Sequence, residues 1–101
     1  MKLKIKSKTY TLAFTFRALR MLDDFDLSVF EELEKKPFKT LDVLYTLFHA
    51  AINHSKSEFY DESTCEELLE DYFNQEGSDI GELTKQLIDM LQATSFFKQK
   101  Q

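Results

Sequence analysis

The chain has 101 residues and a net charge of −5, with 43% apolar residues, ten Phe, four Tyr, only two Gly and one Pro. That length suits one domain around one core, and the scarcity of Gly and Pro excludes an all-β fold built on many tight turns. The acidic total excludes nucleic-acid binding driven by cation–phosphate contacts, and no apolar run approaches the ~20 residues of a membrane-spanning helix.

The opening Met1-Lys2-Leu3-Lys4-Ile5-Lys6 alternates charged and apolar residues and lacks the unbroken apolar stretch of a signal peptide. Together with a lone thiol, Cys65, which has no partner for an intrachain disulfide, this predicts a cytoplasmic protein. Thr9 to Phe14 alternate again, and two such runs joined by Ser7-Lys8 predict a β-hairpin with Leu3, Ile5, Tyr10, Leu12 and Phe14 on one face. The period then changes. Ala18, Met21, Leu22 and Phe25 follow helical spacing and predict a helix over residues 15–24. Ser28-x-x-Glu31 is a capping box for a short helix that ends before Pro37. Thr40 serves as N-cap of the next helix, whose stripe of Leu41, Leu44, Tyr45, Leu47, Phe48, Ala51 and Ile52 makes it the central helix of the core. Residues 53–62 read as a polar loop pinned by Phe59-Tyr60. Ser63-x-x-Glu66 is a second capping box, ahead of Cys65, Leu68, Leu69, Tyr72 and Phe73 on one helical face, with Gly77 as the stop. Asp79-x-x-Glu82 starts a last helix lined by Ile80, Leu83, Leu87, Met90, Leu91 and Thr94. The expected fold is α+β, mainly α: a hairpin over 1–14, four to five helices packed in one core over 15–97, and a polar tail at 98–101.

Charge is laid out unevenly. Residues 1–20 carry Lys2, Lys4, Lys6, Lys8, Arg17 and Arg20 and no acid, whereas residues 58–79 carry nine acids and no Lys or Arg. Solvated faces explain both runs, and opposite ends that attract in a head-to-tail oligomer are the sharper alternative.

Motifs for chemistry are absent from this pattern. His49 and His54 lie five residues apart, about 500° around a helix, so they do not project together as metal pairs at i, i+3 or i+4 do. Cys65 falls on an apolar helical face as a small hydrophobe. Asp23-Asp24-x-Asp26 lacks the Gly and the closing Glu of a calcium loop, and Asp26-Leu27-Ser28 has the wrong order for a phosphopantetheine carrier. No catalytic, cofactor-binding or metal residue is predicted. Recognition of other proteins is expected instead, with Phe59, Tyr60, Phe96 and Phe97 as partner-binding candidates; the adjacent Phe96 and Phe97 cannot both face one core, so at least one of them is expected to be free.

The segment Ile5-Lys6-Ser7-Lys8-Thr9-Tyr10-Thr11-Leu12-Ala13-Phe14, running into Thr15-Phe16-Arg17-Ala18-Leu19-Arg20-Met21-Leu22-Asp23, resembles the N-terminus of tail assembly chaperones of long-tailed phages and prophages of Gram-positive bacteria. Those small acidic proteins open with a hairpin of the form I-x-G-K-x-Y-x-L-x-F followed by a helix; Ser7 stands here at the turn Gly. The resemblance implies a protein that coats the tape measure protein during tail assembly, touches the tail tube protein, self-associates, needs no cofactor and is absent from the mature virion. It also implies a frameshift-extended form, for which Ser95-Phe96-Phe97 offers codons able to carry a slippery run. The alternative reading is a small acidic regulator of the antitoxin or anti-repressor type.

Overall fold

In a computed structural model, residues 1–22 and 40–94 are described. The predicted class is observed: an N-terminal two-stranded antiparallel hairpin followed by helices, mainly helical overall. The predicted helix after Ser28, Phe25, and the pair Phe96 and Phe97 lie outside the described residues.

Strands β1 (Lys2–Ile5) and β2 (Lys8–Thr11) pair with Leu3 opposite Tyr10 and Ile5 opposite Lys8. Met1 and Leu12 extend the ladder by exchanging both backbone bonds, at 3.0 and 2.8 Å. The turn is therefore Lys6-Ser7, not Ser7-Lys8. The reason is geometric: a slip of two residues leaves Leu3, Ile5, Tyr10 and Leu12 on the same face, so apolar patterning cannot choose between the registers and the turn does. Lys6 takes the positive φ (56°) that a two-residue hairpin turn demands. Leu3, Ile5 and Leu12 are buried, Tyr10 and Phe14 half-buried.

An isolated hairpin is marginal in water, and here its β1 edge and its outgoing end are tied down. Gln75 lies against β1: its Oε1 accepts from the Lys6 backbone N–H and its Nε2 donates to Lys4 O at 3.1 Å. Both groups lie on the edge of the hairpin that faces away from β2. Lys6 Nζ adds an exposed ion pair to Asp71 at 3.4 Å. On the far side, Ala13 N–H donates to Ala51 O at 3.2 Å.

Helix α1 (Phe16–Met21) is capped by Thr15, whose Oγ1 accepts from Ala18 N–H at 3.3 Å and donates to His54 O at 2.8 Å. Six residues are too few to hold a helix alone; burial of Ala18 against α2 (Thr40–Ile52) holds this one. Met21, expected inward, is exposed. Thr40 is itself helical in α2 rather than its cap. α2 touches α1, α3 (Glu62–Phe73) and α4 (Ile80–Gln92), so it buries more than one stripe. Val43 and Ala50 join Leu44, Leu47, Phe48, Ala51 and Ile52 in the core, whereas Leu41, expected in the stripe, is 55% exposed.

α3 starts earlier than its predicted capping box. Asp61 is the cap, its Oδ1 accepting from Thr64 N–H at 2.8 Å, and Ser63 is already helical. Asp is as good an N-cap as Ser, and the earlier start adds helical residues. The helix ends at Phe73, ahead of Gly77, which occupies a positive φ of 82° in the following turn. α4 follows its expected cap, with Asp79 Oδ1 accepting from Glu82 N–H at 3.1 Å. A Cβ at Gly81 would meet that same carboxylate oxygen at 3.3 Å, so the glycine leaves room for the cap. None of the described helices is long and apolar enough to cross a membrane.

Candidate protein-binding surface

Asn53 organises the loop that carries the predicted contact residues. It is fully buried. Its Nδ2 donates to His49 O and to Tyr60 O, both at 2.9 Å, and its Oδ1 accepts from Tyr60 N–H at 2.7 Å. One amide thus ends α2 and clamps the returning chain. Tyr60, held by that clamp, is half-buried edge-on to Tyr10 at 6.1 Å. Burial, and after it the neighbouring Glu58 carboxylate, pushes the Tyr60 phenol up to about 12. Phe59 points the other way and is 65% exposed. Of the expected pair, Tyr60 is the pin and Phe59 is the free ring.

The two histidines stay apart in role. His49 stacks on Tyr45 at 5.8 Å, and His54 Nδ1 bonds Ala51 O at 3.0 Å beyond the end of α2. Among the described residues, no group of three His, Cys, Asp or Glu is placed to hold a metal ion. Cys65 is buried, its Sγ 3.8 Å from Tyr60 O, and burial, aided by Asp61, pushes the thiol up to about 11. The native protein is therefore expected to resist a thiol-specific reagent at mildly alkaline pH and to react at once in denaturant. Reaction of folded protein at the denatured rate contradicts this burial.

Asp61 gives a pH signature. The bonds from Thr64 hold its carboxyl below the usual carboxylate range. A depressed folded value contributes stability that is present above the unfolded value and is lost as pH falls through the folded one. Asp61→Asn keeps a good cap without the charge, so its unfolding midpoint is expected to fall less steeply on acidification than that of the wild type. Parallel acid profiles of the two proteins count against the cap's role.

Two surfaces carry exposed apolar side chains beside charge. The first is a groove of about 660 Å³ between α2 and α3. α2 supplies Leu41, Leu44 and Tyr45, α3 supplies Leu69 and Phe73, and the rim is Asp42, Glu62, Glu66 and Glu70. Among the described residues, no Lys or Arg lines it. Its field is felt by Tyr45, whose phenol is pushed up to about 12, first by burial and then by Glu62, Cys65, Glu66 and Asp61. The second surface is the outer side of α1. At about 100° per residue, Phe16, Arg20, Arg17 and Met21 fall within one arc, opposite Ala18, Leu19 and Leu22. Phe16 is 78% and Met21 38% exposed. Neither surface was named from sequence. Leu41 had been assigned to the core by its spacing, and Phe16 sits at a boundary where the period changes.

No protein-family model, curated protein or solved structure matches the chain.

Proposed function

We propose that the protein works by binding other proteins and not by catalysis, and that it is a tail assembly chaperone that coats the tape measure protein of a long-tailed phage. The single observation that supports this best is the set of large apolar side chains left in solvent: Phe16, Leu41 and Phe59. Side chains of this kind beside charged rims are available to meet a partner, and a contiguous apolar patch is the usual mark of such a contact. The hairpin running directly into a helix, with Tyr10 and Leu12 on its inner side, is what the N-terminal resemblance implies and adds to the case. A tape measure protein is a long helical rod with apolar surface, and many weak contacts along one rod gain by avidity. Self-association of the chaperone and action in the host cytoplasm belong to the same reading.

The test is co-expression with the tape measure protein encoded beside it. The expected result is a soluble complex with many copies per rod, measured by light scattering. A tape measure protein that stays insoluble, or is recovered alone, overturns the reading. A small complex of fixed stoichiometry with a different protein favours the regulator instead.

A further inference from the structure

We infer that the acid-rimmed groove between α2 and α3 is the seat of the outer face of α1 from a second copy of this chain, so that copies join head to tail. Three observations converge on that occupant.

The groove is incomplete electrostatically. Glu62, Glu66 and Glu70 stand at i, i+4 and i+8 on α3, an arrangement of like charges that weakens a helix. α3 contains no Lys or Arg to offset it, and among the described residues the ion pair found on this helix is that of Asp71 with Lys6, which lies outside the groove. A cationic partner relieves this repulsion.

The groove is also incomplete sterically. Leu41 stands 55% exposed at its mouth, over a floor of Leu69 and Phe73. The occupant must therefore bring apolar side chains together with its cations.

The chain itself carries such a face. On α1 the two arginines lie between Phe16 and Met21 in angle, so one short helix offers apolar groups flanking two planar cations suited to carboxylates. The hairpin that precedes it in sequence likewise carries lysines and no acid. Within one copy α1 packs on α2 through Ala18, so its outer face is turned to solvent and is free to meet another molecule.

Donor face and acceptor groove are different patches. The contact is heterologous, and it propagates from copy to copy unless a ring closes. The inference does not depend on which protein is coated: failure to bind a tape measure protein leaves it standing, and a monomeric protein that still binds the rod overturns this inference alone.

Complementation tests it. Arg17→Gln/Arg20→Gln removes the donor charges and leaves the groove. Glu62→Gln/Glu66→Gln/Glu70→Gln removes the groove's charge and leaves the donor. All five side chains are exposed, so both variants are expected to keep their fold, and the second to melt no lower than the wild type because repulsion along α3 is gone. In light scattering at low salt, the wild-type mass is expected to rise with concentration and fall with added salt. Each variant alone is expected to associate about tenfold more weakly. Mixed in equal amounts, they are expected to regain the wild-type affinity but stop at two chains, because only one native donor and one native groove remain to pair. A two-fold symmetric interface cannot give that pattern. Wild-type protein that stays monomeric at high concentration, variants that associate as the wild type does, or a mixture that stays monomeric each overturns the inference.

Discussion

Phe48→Ala is expected to destabilise the protein by about 3–5 kcal/mol, the range for truncating a fully buried aromatic ring. Phe48 has no solvent exposure, and it lies on the helix that meets α1, α3 and α4. A cavity there borders several elements at once, and none can close it without breaking its own contacts. Domains of this size are stable by roughly 5–15 kcal/mol, so the loss is a large fraction of the total. At about 4–8 °C per kcal/mol, the melting temperature falls by about 12 °C or more. Phe59→Ala is the control: its ring is 65% exposed, and its stability change is expected to stay within about 0.5 kcal/mol. A melting temperature unmoved by Phe48→Ala contradicts the packing of α2.

Asn53→Asp is expected to cost as much near neutral pH, about 3–5 kcal/mol, as befits an uncompensated buried charge. The amide nitrogen that now donates to His49 O and Tyr60 O becomes an oxygen, and a carboxylate then faces two carbonyls in a site without water contact. The protonated acid escapes part of this, since its hydroxyl donates to one carbonyl. Burial therefore raises the new carboxyl's folded value above its unfolded one. The folded state then holds a proton that the unfolded state has already released, so stability falls as pH rises through that window. Urea midpoints should show the penalty shrinking from about pH 7 to about pH 4.5, close to the unfolded carboxylate range. Asn53→Ala leaves Tyr60 N–H and Tyr60 O without the amide, at about 1–3 kcal/mol each, with no such pH dependence. Equal pH profiles for the two variants would show that the side chain is not enclosed.

What sequence could convey here was period and punctuation. The hairpin was legible because alternation over Leu3 to Phe14 has period two, and α4 because Asp79-x-x-Glu82 announces its start and Leu83, Leu87 and Leu91 keep its phase. The inner face of α2 was legible only in part. A stripe is read as one face, but a helix packed on three sides also buries Val43 and Ala50, while Leu41 in its first turn stays 55% exposed at the edge of the groove. Asn53 and Gln75 were not legible. Each is a polar residue in a polar loop, and its importance lies in backbone groups brought to it by the fold, from 71 residues away in the case of Gln75 and Lys4. The surface was hardest to read. Phe59 and Tyr60 were singled out together, but which ring is free depends on the Asn53 clamp. The groove exists only once α2 and α3 are packed side by side.

Gln75 has a consequence for how this protein fails. Fibrous aggregation by strand stacking needs a strand that is open on both sides, one to dock and one to grow. The Gln75 amide occupies the outward C=O of Lys4 and N–H of Lys6, just where β1 would otherwise template a newcomer. The outward groups of Thr9 and Thr11 on β2 meet no partner among the described residues, so a stray strand that docks there finds the turn end of β1, on the opposite side of the sheet, already occupied. The hairpin is in that sense a poor template for cross-β growth, a useful property in a protein that leaves apolar rings in solvent.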